Sequence, residues 1–371
     1  MGKIKSVQIF TVVQEKPKYS WSPVMPDVLN TDTIIRITDE DGFVGVGSVC
    51  TFTEYGPDKS VLEQLRPLAL NLLREDEITP QDFWAKMQHR RPGVSNIAIA
   101  AMDIALWDLA ARQQSLPLYK LLSGARDSIP AYASVPILDG PHDYIAFIHQ
   151  LREEGFSIFK FHYKSIAELD LALIKDVHEA HGDDCQFMFD AENLYPIEDA
   201  KAVASEMADR GFLWLEAPFD DHDWASYKSL KSATELPILP AGNSVIDVAY
   251  LREAVSNNCW SSLRIDAATA GGITPSLKIF ELGEASQMNV ELQSWGSSIS
   301  TAANLHLALA HQNSTYFEIP VPRSDFHVPG TAIFAMKDGL VSAPEKSGIG
   351  LDINWQEVAG AASAKAVYEA S

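Results

Sequence analysis

Polar side chains that could bind a metal ion or move a proton recur along this chain at nearly even intervals. Each follows a short apolar run, and successive members lie 28, 26, 27, 23, 27 and 25 residues apart. The seven residues are His162, Asp190, Glu216, Asn243, Asp266, Gln293 and Glu318. One strand, one loop and one helix occupy about that length, and parallel barrels carry their functional side chains at the carboxyl ends of the strands. The spacing therefore predicts a barrel and its active site together.

Two basic residues lie two positions apart in Phe159-Lys160-Phe161-His162. Alternate residues of a strand point to the same face, so Lys160 and His162 should both face the barrel mouth while the phenylalanines face the helices. A surface lysine with a stray histidine on an edge strand is the alternative. The flanking aromatic residues favour a buried strand, in which a lysine needs a polar partner.

Two carboxylates directly follow buried strands at the same interval. Asp190 comes after Phe187-Met188-Phe189, and Glu216 comes after Leu213-Trp214-Leu215. With the carboxamide of Asn243 they offer three hard oxygen ligands, which suit Mg²⁺. Salt-bridged carboxylates at the end of a barrel are the alternative, and the shared spacing favours the metal site.

The first third of the chain has a different pattern from the rest. Residues 3–13 and 32–49 alternate apolar and polar residues around the turn Asp41-Gly42, which predicts an antiparallel sheet. Residues 59–74, 80–90 and 94–114 have helical periodicity. Strands followed by helices indicate an α+β domain.

From about residue 128 the chain alternates short apolar runs with helical stretches. Eight runs with seven crossovers fit a (β/α) barrel. The runs are Ile129–Ala133, Ile158–Phe161, Phe187–Phe189, Leu213–Leu215, Ile238–Leu239, Ser262–Ile265, Asn289–Leu292 and Tyr316–Ile319. The tail Gly339–Ile353 is strand-like and is predicted to return to the first domain.

Composition excludes several classes of protein. A net charge of -21 argues against binding to nucleic acid or to an anionic membrane surface. The three cysteines are far apart and odd in number, which favours a reducing compartment. The N-terminus reads as a strand rather than a signal peptide, and no apolar run is long enough for a membrane helix. A cytoplasmic location is expected.

The chain resembles the enolase superfamily, and within it the mandelate racemase/muconate lactonizing branch. The resemblance is carried by AIAAMDIALWDLAAR over 98–112, LPLYKLLSG over 116–124, the ladder Asp190/Glu216/Asn243 with Asp266, Gly271-Gly272-Ile273-Thr274 and Ser294-Trp295-Gly296. It implies a (β/α)7β TIM-like barrel with an α+β capping domain. The corresponding boundaries are residues 1–127 for the cap, 128–329 for the barrel and 330–371 for a C-terminal return to the cap.

The resemblance also implies a first chemical step and a cofactor. In this family Mg²⁺ binds the carboxylate of a small substrate, a base removes the α-proton, and the metal stabilises the resulting enediolate. The implied reaction is dehydration of an acid sugar to a 2-keto-3-deoxy acid. Cycloisomerisation of a sugar-acid lactone or unsaturated acid is second and epimerisation third, and the non-enzyme alternative is a metal-binding scaffold. Assembly into a homo-oligomer is expected from the family.

The basic pair departs from the family's Lys-x-Lys. By position His162 is the candidate base, and a neighbouring ammonium should lower the pKa of its imidazole. The alternative assigns the base to Lys160 and makes His162 a substrate donor.

Two more departures concern the metal ligands and the seventh strand. Asn243 stands where most relatives have Glu, so two carboxylates and Mg²⁺ sum to zero charge, which would ease binding of an anion or even a dianion. Gln293 stands in place of the family His that partners the strand-six Asp, here Asp266, and glutamine does not transfer protons near neutral pH. A racemisation that needs an acid/base group on each face of the substrate is thereby disfavoured.

Glu318 matches the family's last-strand carboxyl and, if protonated, could hydrogen-bond the enediolate; a buried ion pair is the alternative. The cap loops 16–25 and 50–55 should close over the site, and their aromatic residues are candidates for substrate contact. These are Tyr19, Trp21, Phe52 and Tyr55. Ordinary loop aromatics are an equally good explanation for each.

Overall fold

The computed structural model describes residues 2–13, 20–53, 58–89, 93–124 and 126–370. Two of the predicted substrate-contact residues, Tyr19 and Tyr55, lie outside these ranges.

The first domain is built on a four-stranded antiparallel sheet. Its strands are β1 (Ile4–Val13), β2 (Leu29–Asp39), β3 (Val44–Thr53) and β14 (Ala364–Glu369), in the order β14-β1-β2-β3. The turn predicted at Asp41-Gly42 joins β2 to β3, and the amide of Gly42 donates to the carbonyl of Asp39. The predicted antiparallel sheet is confirmed, with a fourth strand contributed by the end of the chain.

Four helices follow the first three strands. They are α1 (Ser60–Leu72), α2 (Pro80–Gln88), α3 (Asn96–Gln113) and α4 (Leu118–Leu121). Thr79 and Ser95 cap α2 and α3 through side-chain oxygens that accept from backbone amides, which explains where those helices begin. Helix α3 is buried on almost every side, as its Ala-rich sequence predicts. No helix in the described part of the chain is both long and apolar enough to cross a membrane.

Eight parallel strands form the second domain. They are β4 (Ser128–Val135), β5 (Ile158–His162), β6 (Gln186–Asp190), β7 (Leu215–Glu216), β8 (Ile238–Leu239), β9 (Leu263–Ile265), β10 (Val290–Leu292) and β11 (Phe317–Pro320). Pairing runs β8-β7-β6-β5-β4-β11-β10-β9, and no β8–β9 ladder occurs among the described residues. The result is a nearly closed (β/α)7β TIM-like barrel with an α+β cap, as the sequence predicted.

Seven crossovers on the outside of the barrel connect these strands. Their helices are α5 (Pro141–Glu153), α6 (Ala167–His181), α7 (Ile197–Asp209), α8 (Trp224–Lys231), α9 (Val248–Ser256), α10 (Ala267–Ala270), α11 (Ile273–Ala285) and α12 (Ser298–Ala310). The pair α10 and α11 shares one crossover. Phe159 and Phe161 of β5 pack into the core between strands and helices, whereas Ile158 belongs to a separate apolar cluster. The alternation predicted for this strand is therefore confirmed.

The chain after the barrel pairs first with a barrel strand and then returns to the cap. A hairpin of β12 (Met336–Lys337) and β13 (Leu340–Ser342) pairs with β4 of the barrel, not with the cap sheet. Helix α13 (Trp355–Ala361) then leads into β14, which pairs with β1. The tail Gly339–Ile353, predicted to return to the first domain, therefore begins against the barrel, and its later part reaches the first domain. There the amide of Gly348 donates to the carbonyl of Leu116, and the amide of Ile349 donates to Asp108. The domain boundaries stay a prediction.

A buried hydrogen-bonded junction connects the cap to the barrel. Asp103 on α3 accepts from the backbone amide of Thr274 at 3.1 Å, and its other oxygen lies 2.6 Å from the Thr274 hydroxyl. Trp107 donates its indole N–H to the same hydroxyl at 2.9 Å. Burial raises the pKa of Asp103 to about 7. These contacts hold the start of α11, and with it the segment that follows Asp266, against the cap.

Close packing of α3 on the cap sheet requires glycine at position 47. A Cβ atom built there would lie 2.1 Å from the carbonyl oxygen of Ala101, a backbone atom that cannot rotate away. We expect Gly47→Ala to lower the free energy of unfolding by about 3 kcal/mol, measured by chemical denaturation. Gly360→Ala is the matched control, because that helical glycine faces open space and alanine there should stabilise by about 0.5–1 kcal/mol. Equal effects of the two substitutions would contradict the packing explanation.

The junction at Asp103 should make stability depend on pH. A carboxyl whose pKa is raised from 3.8 to about 7 stabilises the fold fully below pH 4, and this contribution is lost as the pH rises towards 7. Asp103→Asn mimics the protonated acid and does not titrate. Between pH 4 and pH 7 the wild type should therefore lose stability relative to this variant, by at most about 1.4 kcal/mol in the free energy of unfolding per pH unit. Denaturation of both proteins between pH 4 and pH 8 measures this difference, and a constant difference would show that Asp103 does not titrate there.

Candidate active site

One cavity of about 680 Å³ lies between the barrel mouth and the cap. The barrel contributes nine polar residues to its lining: Lys160, Asp190, Glu192, Asn193, Glu216, Asn243, Asp266, Thr269 and Gln293. The cap contributes Trp21 and Phe52, the two described residues of the predicted aromatic set. His162 and Glu318 do not reach the cavity wall, although both belong to the same ladder of strand ends.

Strand register explains why the predicted ligands meet. His162 pairs with Asp190 across β5 and β6, and Asp190 pairs with Glu216 across β6 and β7. In parallel strands paired residues point the same way, so these side chains lie side by side at one end of the barrel.

A buried cluster of five charged groups lies beneath the cavity. The ammonium of Lys160 lies 3.2 Å from Asp190, 3.1 Å from Glu216 and 3.1 Å from Glu318. Arg264, fully buried on β9, lies 3.0 Å from both Glu216 and Glu318 and donates to the Tyr132 hydroxyl at 2.9 Å. Three carboxylates against two cations leave one net negative charge, which favours a further cation at this place.

The electrostatics of the cluster differ from group to group. Burial opposes the charged form of Asp190, but Lys160 and His162 outweigh it and hold the pKa of that carboxyl well below its usual range. Burial also opposes the charge of Lys160, and its carboxylate neighbours, Glu216 first, nevertheless raise the pKa of the ammonium. For Glu216 burial prevails over Arg264 and Lys160, so its pKa is raised.

His162 is held behind Asp190 rather than facing the cavity. Its Nδ1 lies 2.9 Å from the carbonyl oxygen of Val135, which can only accept, so Nδ1 carries the hydrogen. Its Nε2 lies 3.3 Å from Asp190 Oδ2 and 3.7 Å from Glu192 Oε1. Burial and Lys160 lower the pKa of the imidazole, but Asp190 and Glu192 prevail and raise it. Lys160 does lower this pKa, as expected, but the net shift is upward because the carboxylates outweigh the ammonium.

Glu318 is an ion pair and not a protonated acid. Lys160 and Arg264 outweigh the effect of burial and lower the pKa of its carboxyl. The backbone amide of Ser294 also donates to it at 3.1 Å. Of the two possibilities for Glu318, a protonated acid or a buried ion pair, these contacts favour the ion pair, since both of its oxygens face cations.

The donor set of the cavity fits a hard divalent cation. Asp190, Glu216 and Asn243 offer two carboxylates and one amide oxygen from the ends of three successive strands, and Mg²⁺ prefers such ligands. Glu192 adds a carboxylate that the sequence analysis did not name. Within the described ranges, the His/Cys/Asp/Glu group whose ligand atoms come within 4.8 Å of one another is His162, Asp190 and Glu192. Glu192 therefore belongs to the candidate metal environment.

The sixth and seventh strands end in an amide network instead of an acid–imidazole dyad. Asn304 of α12 donates to Asp266 at 2.8 Å and to the carbonyl of Gln293 at 2.8 Å. The Gln293 amide donates to Asn243 Oδ1 at 2.7 Å and to the carbonyl of Ala241 at 3.1 Å. Burial raises the pKa of Asp266 to about 6.

Aromatic rings form the wall between cap and barrel. Trp295, which follows β10, packs edge-to-face against Trp21 with ring centroids 4.4 Å apart. The ring centroid of Phe52 lies 6.0 Å from that of Trp295. The predicted contact residues Trp21 and Phe52 therefore line the cavity around a barrel tryptophan that the sequence analysis quoted only as part of a motif.

Three other site residues were missed by the sequence analysis, and two of them left a signal. Arg264 stands between Leu263 and Ile265 in a short apolar run, and a buried arginine needs partners. Glu192 follows Asp190 by two positions. Asp221 accepts from the amides of Ala241 and Gly242 at 2.7 and 3.0 Å, and nothing in its local sequence marks that role.

Two family models match the chain. The model described as mandelate racemase / muconate lactonizing enzyme, N-terminal domain, matches residues 22–123, and the one described as enolase C-terminal domain-like matches residues 143–358. Together they cover both the cap and the barrel.

Three relatives have named activities. The L-talarate/galactarate dehydratase of Salmonella typhimurium is 31% identical over 258 residues, which span 67% of this chain and 64% of that enzyme. The arabinonate dehydratase of Saccharolobus solfataricus is 27% identical over 86% of this chain and 87% of its own length. The D-galactarolactone cycloisomerase of Agrobacterium fabrum is 26% identical over 86% of this chain and 88% of its own length.

Solved structures resemble the whole chain. A Pseudovibrio sp. protein assigned to the mandelate racemase/muconate lactonizing enzymes has a TM-score of 0.93 and 32% identity, covering 99% of both chains. D-Glucarate dehydratase from Agrobacterium tumefaciens, solved with magnesium, has a TM-score of 0.82 and 27% identity, covering 96% of this chain and 98% of that one.

Removing the guanidinium of Arg264 should destabilise the barrel. Arg264→Met leaves three buried carboxylates with one shared ammonium, and loss of one partner from a buried ion network costs about 3–5 kcal/mol in the free energy of unfolding. Arg264→Met combined with Glu318→Gln removes one of the uncompensated charges and should recover part of this loss. Chemical denaturation of the three proteins measures the effect, and a loss below about 1 kcal/mol in the single variant would show that Arg264 contributes little.

Proposed function

Because the chain belongs to the mandelate racemase/muconate lactonizing branch of the enolase superfamily, we propose that it removes the α-proton of a small carboxylate substrate with the help of Mg²⁺. The reaction that follows is dehydration of an acid sugar to a 2-keto-3-deoxy acid. The observation that carries the proposal is the convergence of Lys160, Asp190, Glu216 and Asn243 on one cavity from successive strand ends.

Asp190, Glu216 and Asn243 are the proposed ligands of the metal ion, with the Glu192 carboxylate beside them. Bound Mg²⁺ would supply a Lewis acid that holds the substrate carboxylate and stabilises the negative charge that develops when the α-proton leaves. The protein positions two of these ligands through its own donors. Trp214 donates to Glu216 at 3.2 Å, and the backbone amide of Glu192 donates to Asp190 at 3.1 Å. Fixed ligands of this kind lower the cost of reorganisation during the reaction.

The base is one of the two basic residues of β5. A base must reach the substrate and must have an atom free to accept a proton, and each residue meets one of these two requirements. Lys160 lines the cavity, where it can touch the substrate, but its ammonium is held by three carboxylates. His162 carries a hydrogen on Nδ1, so Nε2 accepts a proton whenever the imidazole is neutral, but its side chain is fully buried. Removal of one or the other side chain separates the two assignments.

A reaction on one face of the substrate is supported by the sixth and seventh strand ends. Gln293 does not transfer protons near neutral pH, and Asp266 accepts from Asn304 instead of an imidazole. Dehydration needs the base on one face only: the base takes the proton as the Cα–H bond breaks, this proton is passed to the departing β-hydroxyl, which leaves as water, and the enol tautomerises to the 2-keto acid. Epimerisation needs an acid/base group on each face, and here Asp266 lacks an imidazole partner, so epimerisation is the third candidate.

Cycloisomerisation is the second candidate. It also begins with proton chemistry on one face, and the Agrobacterium fabrum relative bears the name of such an enzyme. The cavity of about 680 Å³ accommodates a sugar acid or its lactone. Assembly into a homo-oligomer and a cytoplasmic location stay predictions.

Solvent-deuterium exchange tests the proposal. Incubation of the protein with Mg²⁺ and a panel of acid sugars and their lactones in D₂O, followed by NMR, should show loss of the α-proton signal and formation of a 2-keto-3-deoxy product from at least one acid. Lactone formation or opening instead of a 2-keto product would favour the cycloisomerase. Absence of both exchange and turnover over the panel would favour the metal-binding scaffold.

Three variants assign the residues in the same assay. Asp190→Ala should abolish Mg²⁺-dependent exchange, and its failure to do so would refute the metal site. Of Lys160→Ala and His162→Ala, the one that removes the base should slow exchange by about 10²–10⁴. Asp266→Ala should retain exchange if one face does the proton chemistry. Asp176→Ala, an exposed carboxylate on α6, is the control and should leave the rate unchanged.

A further inference from the structure

We propose that Gln293 is a positioning residue for the metal: its amide orients the carboxamide oxygen of Asn243 towards the cation. The inference rests on the proposed function for one point only, that Asn243 is a ligand. Gln293, at the end of the seventh barrel strand, would then position a metal ligand instead of transferring a proton. The two departures from the family pattern, at 243 and at 293, then form one interacting pair.

The geometry of the Gln293 side chain supports this task. Gln293 is 4% exposed, and both hydrogens of its amide nitrogen have acceptors. One goes to Asn243 Oδ1 at 2.7 Å and the other to the carbonyl of Ala241 at 3.1 Å. A carboxamide can present either its oxygen or its NH₂ group to a neighbour, and only the oxygen binds a cation. A donor fixed beside Oδ1 selects the productive orientation and leaves the second lone pair of that oxygen available.

Asn304 separates Gln293 from the acid on the sixth strand. Its NH₂ group donates to Asp266 and to the backbone carbonyl of Gln293, while its own oxygen accepts from the amide of Ala267 at 2.9 Å. The Asp266 carboxylate also accepts from the amide of Ala268 at 2.8 Å. Asp266 is thus satisfied by α12 and its own helix, and the Gln293 amide is directed to the fifth-strand loop.

The loop that carries Asn243 is held independently of Gln293. Asp221 accepts from the amides of Ala241 and Gly242 on the other side of the loop. Gly242 has φ 73°, and a Cβ there would lie 2.2 Å from the carbonyl oxygen of Arg264. The backbone path is therefore set by Asp221 and by close approach to β9. Loss of the Gln293 amide should change the orientation of the Asn243 side chain without unfolding the loop.

A residue that orients Asn243 Oδ1 must donate a hydrogen bond at every working pH, and the Gln293 amide does so. An imidazole donates or accepts according to its protonation state and tautomer, whereas a primary amide always has two hydrogens to donate. Hydrogen bonds to metal ligands from such partners affect metal affinity by about 10–100-fold. Gln293 is expected to act within that range.

A double-mutant cycle with metal affinity as its readout tests the proposal. Gln293→Met keeps the length of the side chain and removes the donor. Titration calorimetry with Mg²⁺ alone should give a dissociation constant about 10–100-fold weaker for Gln293→Met than for the wild type. In an Asn243→Ala background, the same Gln293→Met substitution should change the constant less than about twofold, because the oxygen to be oriented is gone.

The control is a second glutamine of the same cavity. Gln64 lines the cap side and accepts from the amide of Ser95 at 2.7 Å. Gln64→Met removes an amide from the cavity wall without touching a proposed ligand, so Mg²⁺ affinity should stay within about twofold of the wild type. Thermal unfolding without metal should give the same midpoint for wild type and Gln293→Met, which separates loss of affinity from loss of fold.

Each of the other possible results of these titrations refutes one specific claim. An unchanged constant in Gln293→Met, or equal weakening in both backgrounds, refutes the positioning role while leaving the proposed reaction intact. Unchanged affinity in Asn243→Ala refutes the ligand assignment on which the role depends. Deuterium exchange by the wild-type protein tests the reaction itself, so the two failures are distinguishable.

Discussion

The barrel mouth depends on one cluster of buried charges. Lys160, Arg264, Asp190, Glu216 and Glu318 come from five different strands and are almost completely shielded from water. Charges in such surroundings are tolerated only with partners in good geometry, so each strand must bring its residue to the correct height. The apolar layer of Tyr132, Ile158, Met188, Trp214 and Leu239 fills the barrel below. Packing gives the barrel its core, and the charged cluster specifies the arrangement of its mouth.

The cap completes the cavity that the charged cluster begins. Barrel strands provide nearly all of its ionisable side chains, whereas the cap provides aromatic and small polar ones. Trp295 of the barrel stacks edge-on with Trp21 of the cap, and Asp103 of the cap binds Thr274 of the barrel. Chemistry and enclosure therefore come from different parts of the chain, and their alignment depends on a few buried polar contacts between the two.

Much of this arrangement could be predicted from the residues, because a parallel barrel converts even spacing into spatial proximity. The positions of Asp190, Glu216 and Asn243 in the cavity follow from strand ends that are visible in the sequence. The protonation of Glu318 was left open and the net direction of the His162 pKa shift was predicted wrongly, since each depends on several charges at once. Arg264 was the missing charge in the first case and Glu192 contributed to the second. Partners of a strand, as for β13, and contacts from remote loops, as for Asp221, have no local signal at all.

The pairing of β1 with β14 has a consequence for how the molecule is made. Of the four strands of the cap sheet, β1 is synthesised first. Its neighbour β14 lies more than three hundred residues later in the chain. A ribosome therefore releases the whole barrel before the cap sheet can be completed. Until then β1 presents an unpaired edge, which is the kind of surface that associates with other chains. When β14 is made, it pairs with β1 and covers the exposed edge of that strand. The same pairing completes the cap sheet and removes the risk of association with other chains.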